Sequence, residues 1–376
     1  MHKERRVVLV DIAGPHKHID DALVDLEELQ SLVKTYGGID VVRIIQHRKR
    51  PDKNTFIGSG KVEELAEVVK REKISLVILN AVVNPTQLFN LTQHLWTVNP
   101  DIQVWDRVDL ILNIFDKHAR SAEVKLQIEI ARMHHMGPRI YGLGGTYLSR
   151  QGGGIGTRGI GETNIERMKR HFKDQIRLKK EELDKQSLHR FNQLERRKNN
   201  GMKTVSIVGY TNAGKSSLFN LITGKKVEVK DALFVTLDSA TGKLKSNSSP
   251  LKILITDTIG FIQNLPPSLI ESFKSTLLET MNCDLILHVI DVSDEKIQKK
   301  IDTVEEIIGE LGISTKKRIF VFNKLDKLSI KDLDMLKGLK EKYKLFSPQF
   351  LSVKKEEGIE DLKKTISQEL LWAISH

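Results

Sequence analysis

Residues 204–216 restrict the fold of this 376-residue chain more tightly than any other stretch. A short apolar run, TVSIV, leads directly into Gly209, Tyr210, Thr211, Asn212, Ala213, Gly214, Lys215 and Ser216, which fits G-x-x-x-x-G-K-[ST]. That pattern requires a buried strand before it and a helix after it. Its two glycines let the backbone wrap, so that several N–H groups converge on phosphate oxygens at the positive end of the helix. Lys215 is then expected to reach the β- and γ-phosphates as a catalytic group. Ser216 is expected to place its hydroxyl on Mg²⁺, with Ser217 beside it in the first turn. Further apolar runs at 251–256, 284–292, 318–322 and 350–353 are each followed by a loop and, in most cases, by a helix-periodic stretch. Residues 201–376 therefore read as an α/β domain with a mostly parallel sheet covered on both faces.

A phosphate loop alone does not choose a base, so the base-reading end of the site is sought downstream. After the run RIFVF come Asn323, Lys324, Leu325 and Asp326. The Asp326 carboxylate can accept from guanine's ring N–H and exocyclic amine together, whereas adenine would leave it unpaired. The difference is worth on the order of a hundredfold, so guanine is preferred. Lys324 can lay its stem over the base, and Asn323 can tether this turn to the phosphate loop. Ser352, Val353 and Lys354, after QFL, can offer backbone N–H groups to guanine O6. Between these motifs lie Asp257, Thr258, Ile259 and Gly260, where the Asp can hold Mg²⁺ through water and the Gly260 N–H can sense the γ-phosphate. Upstream, LFVTLD includes Phe234, Val235, Thr236, Leu237 and Asp238. Thr236 is the expected second metal-ordering hydroxyl, and Thr241 is the fallback. The residue after Gly260, where Ras-like enzymes place a water-orienting Gln, is Phe261, so slow resting turnover is expected.

The first half has another texture. Residues 5–12 and 74–83 are β-branched apolar runs, and 22–35 and 61–73 show helical spacing, which reads as a smaller α/β domain over 1–115. Residues 117–136 put Ala122, Leu126, Ile130 and Met133 on one helical stripe, with a stop expected at Pro138. A glycine-rich stretch over about 142–162 follows, then a charged helical segment to Lys198. Residues 116–200 therefore read as a helical hairpin with a glycine-rich tip. Of the +11 net charge, +8 falls in residues 1–200, and residues 166–198 hold twelve Lys/Arg against six Asp/Glu. Such a surplus favours a polyanion such as RNA. At the tip, Arg150, Gly153 and Arg158 are the candidate RNA contacts, because glycine allows close backbone approach while arginine neutralises phosphate.

Other signals are exclusions. The single cysteine, Cys283, rules out an intrachain disulfide and suits a reducing compartment; it reads as a small buried hydrophobe. The chain has no run of eighteen apolar residues, and the start MHKERRVVLVDI reads as too short in apolar residues for a secretory leader, so a cytoplasmic address with no membrane partner is expected. Gly58-Ser59-Gly60-Lys61 resembles the end of a phosphate loop, but Val62 replaces the hydroxyl residue. Gly154 to Gly159 spells G-x-G-x-x-G without a preceding strand, which argues against a dinucleotide site. His134 and His135 are adjacent on a helix and face different ways, so structural roles are expected for both.

Taken in order, the five nucleotide motifs resemble the translation-factor-related class of P-loop GTPases. The strings GYTNAGKSSLFN, ALFVTLD, DTIGFIQNLP, TFIGSGKVEEL, DRVDLILNIFDKHARSAEVKLQIEIA and LSRQGGGIGTRGIGE further resemble the HflX family of ribosome-associated GTPases, from about residue 5 to the end. The resemblance implies an N-terminal α/β domain, a helical hairpin and a GTPase domain. It also implies GTP hydrolysis to GDP, docking of the first two parts on the large ribosomal subunit and its RNA, and a role in ribosome splitting, rescue or biogenesis. It leaves adenine-nucleotide binding by the N-terminal domain open. A GTP-gated RNA-binding module with vestigial hydrolysis is the alternative, and a signalling switch with protein effectors is disfavoured by the basic hairpin. No DNA partner is expected, and a monomer is. Asn212 matches the position at which some related GTPases help hold K⁺, which makes K⁺ a candidate second ion. One departure is that Ser239-Ala240-Thr241-Gly242 stands where the family usually has Pro-Thr-Thr-Arg.

Overall fold

The computed structural model describes residues 5–15, 19–151, 158–229, 233–234, 239–245, 251–263, 265–274, 277–329 and 332–375. They form two compact units: Met1–Lys117 with Lys125–Glu182, and His118–Val124 with Leu183–His376.

The first unit begins with strand β1 (Arg5–Ala13), helix α1 (Ile19–Tyr36), β2 (Gly38–His47), α2 (Ser59–Arg71) and β3 (Leu76–Leu79). It continues through α3 (Pro85–Trp96), β4 (Gln103–Asp106) and α4 (Arg107–His118). The four strands are parallel in the order β2-β1-β3-β4. Val7 to Val10 and all of β3 are buried, as expected of strands covered on both faces. Helix α3 starts where Asn84 and Gln87 form a reciprocal capping box, with Pro85 in the first turn supplying no N–H that would need a partner. Gly58 is the N-cap of α2, and the atoms that a Cβ there would meet first are those of Arg48.

Helix α5 (Ala122–Gln151) runs on through Pro138, where a stop was expected, and through glycines 142, 144 and 145. A glycine costs about 1 kcal/mol within a helix and a proline about 3, which penalises a helix without forbidding it. Helix α6 (Arg158–Asn199) follows, so the interval between the helices is 152–157 rather than 142–162, and Gly153 lies outside the described residues. Arg150 falls in the last turn of α5, and Arg158 opens α6. His135 and Arg139, one turn apart on α5, converge on Asp106 and Asp109. The Arg139 guanidinium donates to both carboxylates at 2.7 Å, and His135 Nε2 lies 3.1 Å from Asp106 Oδ1. Burial works against the charged imidazole, but hydrogen bonds to the two carboxylates push the His135 pKa up to about 9. With a guanidinium among the carboxylates, this is a largely buried ion network tying α5 to α4.

The second unit holds β5 (Lys203–Gly209), α7 (Lys215–Thr223), β6 (Ala240–Lys243), β7 (Ile253–Asp257), α8 (Pro267–Ser272) and α9 (Leu278–Asn282). After them come β8 (Leu285–Asp291), α10 (Ile297–Glu310), β9 (Arg318–Asn323), α11 (Leu333–Lys342), β10 (Gln349–Phe350) and α12 (Ile359–Ser375). The sheet order is β10-β9-β8-β5-β7-β6, parallel except for β6, which runs antiparallel to β7. Val205, Ile207, Ile255, Leu287, Val289 and Val321 pack with Phe219 of α7 and Leu362 and Ile366 of α12 in one apolar core. Cys283 is buried beside it, and burial pushes its thiol up to about 12, which makes it inert at neutral pH. No described helix is long and apolar enough to cross a membrane.

Candidate nucleotide-binding site

Parallel pairing puts the C-terminal ends of β5, β7, β8, β9 and β10 along one edge, and loops leaving that edge on both sides of central β5 define a crevice. Four of the five expected motifs begin where one of these strands ends: residues 209–217 after β5, 257–260 after β7, 323–326 after β9 and 352–354 after β10. Topology therefore gathers segments that are far apart in sequence.

Close contacts then set their spacing. Gly209 has φ +149°, and a Cβ there would lie 2.2 Å from the carbonyl oxygen of Val289 in β8. Gly214 has φ +97°, and its Cβ would lie 2.3 Å from the Asn323 amide nitrogen. Only glycine fits at either place. The Asn323 amide, 2% exposed, donates to Ala213 O at 2.9 Å, while its Oδ1 accepts from Val353 N–H at 3.1 Å. One buried side chain thus joins the phosphate loop, the NKLD turn and the 352–354 loop. Asp326 is held from the other side: Ser352 Oγ donates to its Oδ1 at 2.6 Å, which lowers its pKa and keeps it an acceptor.

The DTIGF segment is joined to the phosphate loop by backbone. Thr211 N–H donates to Phe261 O at 2.8 Å, and Phe261 N–H donates to Gly209 O at 3.1 Å. Gln263 N–H donates to the Tyr210 hydroxyl at 2.9 Å, and Thr258 Oγ1 donates to Ile207 O at 2.6 Å. Phe261 itself is buried, so the position of the usual water-orienting Gln carries an apolar ring turned into the protein. The Asp257 carboxylate is fully buried at the end of β7, and Ile259 and Gly260 follow it. A cavity of about 70 Å³ is lined by Tyr210 and Thr211 of the phosphate loop and by Ile297, Lys300 and Ile301 of α10.

Lys215 opens α7, is buried, and donates from Nζ to Tyr210 O at 2.7 Å. Burial pushes its pKa down to about 8; the Asp257 charge opposes this and the Lys324 charge adds to it. A desolvated ammonium with a strongly reduced pKa at a helix start is a site built for added negative charge.

Ser216 and Ser217 lie in the first turn of α7. Phe234 is buried with φ +59°, whereas Val235, Thr236, Leu237 and Asp238 lie outside the described residues. Thr241 is on β6, where its hydroxyl donates to Glu279 at 3.3 Å. Two residues were missed in the sequence reading. Asp291 and Ser293, at the end of β8, form part of the same edge, and Asp291 lies 2.7 Å from Lys324. The signal was an acidic residue closing the apolar run LILHVI, which in a parallel sheet marks the ligand edge.

Three family models match successive parts of the chain: a GTP-binding GTPase N-terminal region over 24–116, a GTP-binding GTPase middle region over 118–197, and a 50S ribosome-binding GTPase over 204–324. The GTPase HflX of Caldanaerobacter subterraneus subsp. tengcongensis is 41% identical over 98% of this chain and 81% of its own length. The GTPase HflX of Escherichia coli K12 is 38% identical over 82% and 71%, and that of Methanocaldococcus jannaschii 36% identical over 93% and 84%. Among solved structures, the complex of SsGBP with GDP is similar over 98% of this chain and 99% of its own, at 26% identity and a TM-score of 0.53. On these likenesses the chain belongs to the HflX family of GTP-binding, GTP-hydrolysing enzymes.

Proposed function

We propose that this GTPase is Mg²⁺-dependent and docks on the large ribosomal subunit, with an α/β domain over 1–115, a helical hairpin over 116–200 and a GTPase domain over 201–376. Its role in splitting, rescue or assembly of ribosomes follows from that docking, in the cytoplasm. The observation that carries the reading is helix α6. It is 42 residues long and exposes Arg167, Lys169, Arg170, Lys173 and Arg177 along its length. Its last turns belong to the same compact unit as the nucleotide site. There Arg190 pairs with Glu123 at 3.0 Å, and Arg197 lies 3.6 Å from Glu279, whose other oxygen accepts from Thr241 of β6. The base of this helix is thus linked, through Glu279, to the strand that follows the Thr236 segment. The family description "50S ribosome-binding GTPase" is carried to this chain on that ground. Arg150, Gly153 and Arg158 are assigned to RNA at the tip.

At the site, the Ser216 hydroxyl and the Asp257 carboxylate supply the hard oxygen donors that Mg²⁺ prefers, the latter through water, and Thr236 is assigned as the γ-phosphate-dependent third group. When bound, the ion draws off charge developing on the phosphates. Lys215 neutralises the outer phosphates, the Gly260 N–H reads the γ-phosphate, and Asn323, Lys324, Asp326 and the 352–354 loop hold guanine. Since Phe261 offers no hydrogen bond to water, docking supplies the missing orientation. Single-turnover hydrolysis is expected to rise by about 10²-fold on large subunits. Co-sedimentation with those subunits, stronger with a non-hydrolysable GTP analogue than with GDP, is expected to weaken steadily as salt rises. Equal turnover with and without subunits removes the stimulation, and salt-independent binding removes the RNA contact.

K⁺ is assigned to Asn212, which holds φ +62° in the phosphate loop. Exchanging K⁺ for Na⁺ at constant ionic strength is expected to slow hydrolysis several-fold; an unchanged rate excludes the ion.

A further inference from the structure

We infer that Asp291 is a positioning residue for guanine-nucleotide binding, acting through Lys324; the inference rests on the assignment of the NKLD turn to the base. Lys324 has φ +69°, a left-handed conformation uncommon for a residue with a Cβ. Its ammonium lies 2.7 Å from Asp291 Oδ2, and the two side chains are 19% and 17% exposed, so the pair is largely withdrawn from screening water. Asp291 is held in turn. Its Oδ1 accepts from Ser293 N–H at 3.0 Å and from Ser293 Oγ at 2.6 Å. The peptide between them contributes as well, since Val292 N–H donates to Asn323 O at 3.0 Å. Burial would raise the Asp291 pKa, but the hydrogen bonds from Lys324 and Ser293 more than offset it, and the carboxylate stays ionised.

The consequence concerns the lysine's four-carbon stem. A free lysine on a surface turn samples many rotamers, and a ligand that stacks on it must restrict them. With its ammonium fixed to Asp291, the stem forms a standing apolar wall for the face of the base before any nucleotide arrives, so the ordering cost is removed from binding. Asp291 touches no phosphate in this scheme, so its loss falls on affinity rather than on the chemical step.

A double-mutant cycle on the full chain tests this, using titration of a fluorescent GDP and steady-state GTP hydrolysis. Asp291→Asn and Lys324→Ala are each expected to weaken GDP binding by about tenfold, and the double variant to bind about as weakly as Lys324→Ala alone. Asp291→Asn is further expected to raise KM more than it lowers kcat. Losses that multiply in the double variant, or Asp291→Asn binding GDP as tightly as the parent, overturn the proposal. An effect of Lys324→Ala that is itself absent strikes the base assignment instead. If Asp291→Asn does not fold, Ser293→Ala replaces it. A smaller weakening that disappears in the Lys324→Ala background is then expected, and one that persists there overturns the proposal.

Discussion

Asp326→Asn is expected to lower GTP affinity by about a hundredfold or more and to make xanthosine triphosphate the better ligand. Guanine presents two donors on the edge assigned to Asp326, the ring N–H and the exocyclic amine, and a carboxylate accepts both. An amide accepts one and sets its own N–H₂ against the other, which leaves two buried donors facing each other. Xanthine replaces the amine with a carbonyl, and the amide then matches donor to acceptor. The exchange leaves the local fold in place: Ser352 Oγ donates to Asp326 Oδ1 at 2.6 Å, and an amide oxygen still accepts that bond, without the carboxylate's charge. Stability is therefore expected to change little, which separates loss of recognition from loss of structure. Competition binding with guanine, xanthine and adenine nucleotides reads the outcome, and a variant that still prefers guanine refutes the assignment.

The motifs behind that expectation are legible in the sequence because of the kind of information strands carry. Strands β5, β7, β8 and β9 are fully covered, so each is a β-branched or aromatic run that stands out from its flanks. With four such runs parallel, the motif after each must emerge on one edge. Strand β6, ATGK, was invisible: it is a four-residue edge strand with one buried position, and its pairing with β7 is a property of the sheet rather than of its own residues. In the first unit, β2 and β4 were missed for similar reasons, since GIDVVRIIQH interrupts its apolar positions with Asp40 and Arg43 and QVWD is only four residues long. The hairpin helix runs past Pro138, where local propensity alone predicts a stop. Pairwise links such as Asn323 to Ala213, Asp291 to Lys324 and Arg197 to Glu279 join residues 33 to 110 positions apart, and no local pattern encodes them.

Lys215→Met is expected to leave a folded protein, at least as stable as the parent, in which GTP hydrolysis has fallen by about 10²–10³-fold. The two halves of that statement come from one observation. In the nucleotide-free protein Lys215 is a buried cation whose pKa burial has pushed down to about 8, so the fold bears the charge at a cost. An apolar side chain of similar length removes that cost, losing one hydrogen bond to Tyr210 O in exchange. The sign with pH follows. Between about 8 and the ordinary lysine value, the unfolded chain keeps a proton that the folded protein has released, so this residue makes the empty protein more stable as pH rises through that window. Nucleotide reverses the balance, because phosphate charge favours the ammonium and binding must take up a proton above pH 8. GDP affinity is accordingly expected to fall as pH rises past about 8, by up to about tenfold per unit, and to be flat in Lys215→Met apart from titration of the ligand itself. Titrations of parent and variant across pH 7 to 10 measure both slopes. Parallel curves show that Lys215 does not face phosphate, and a variant that hydrolyses GTP at the parent rate removes it from the chemistry.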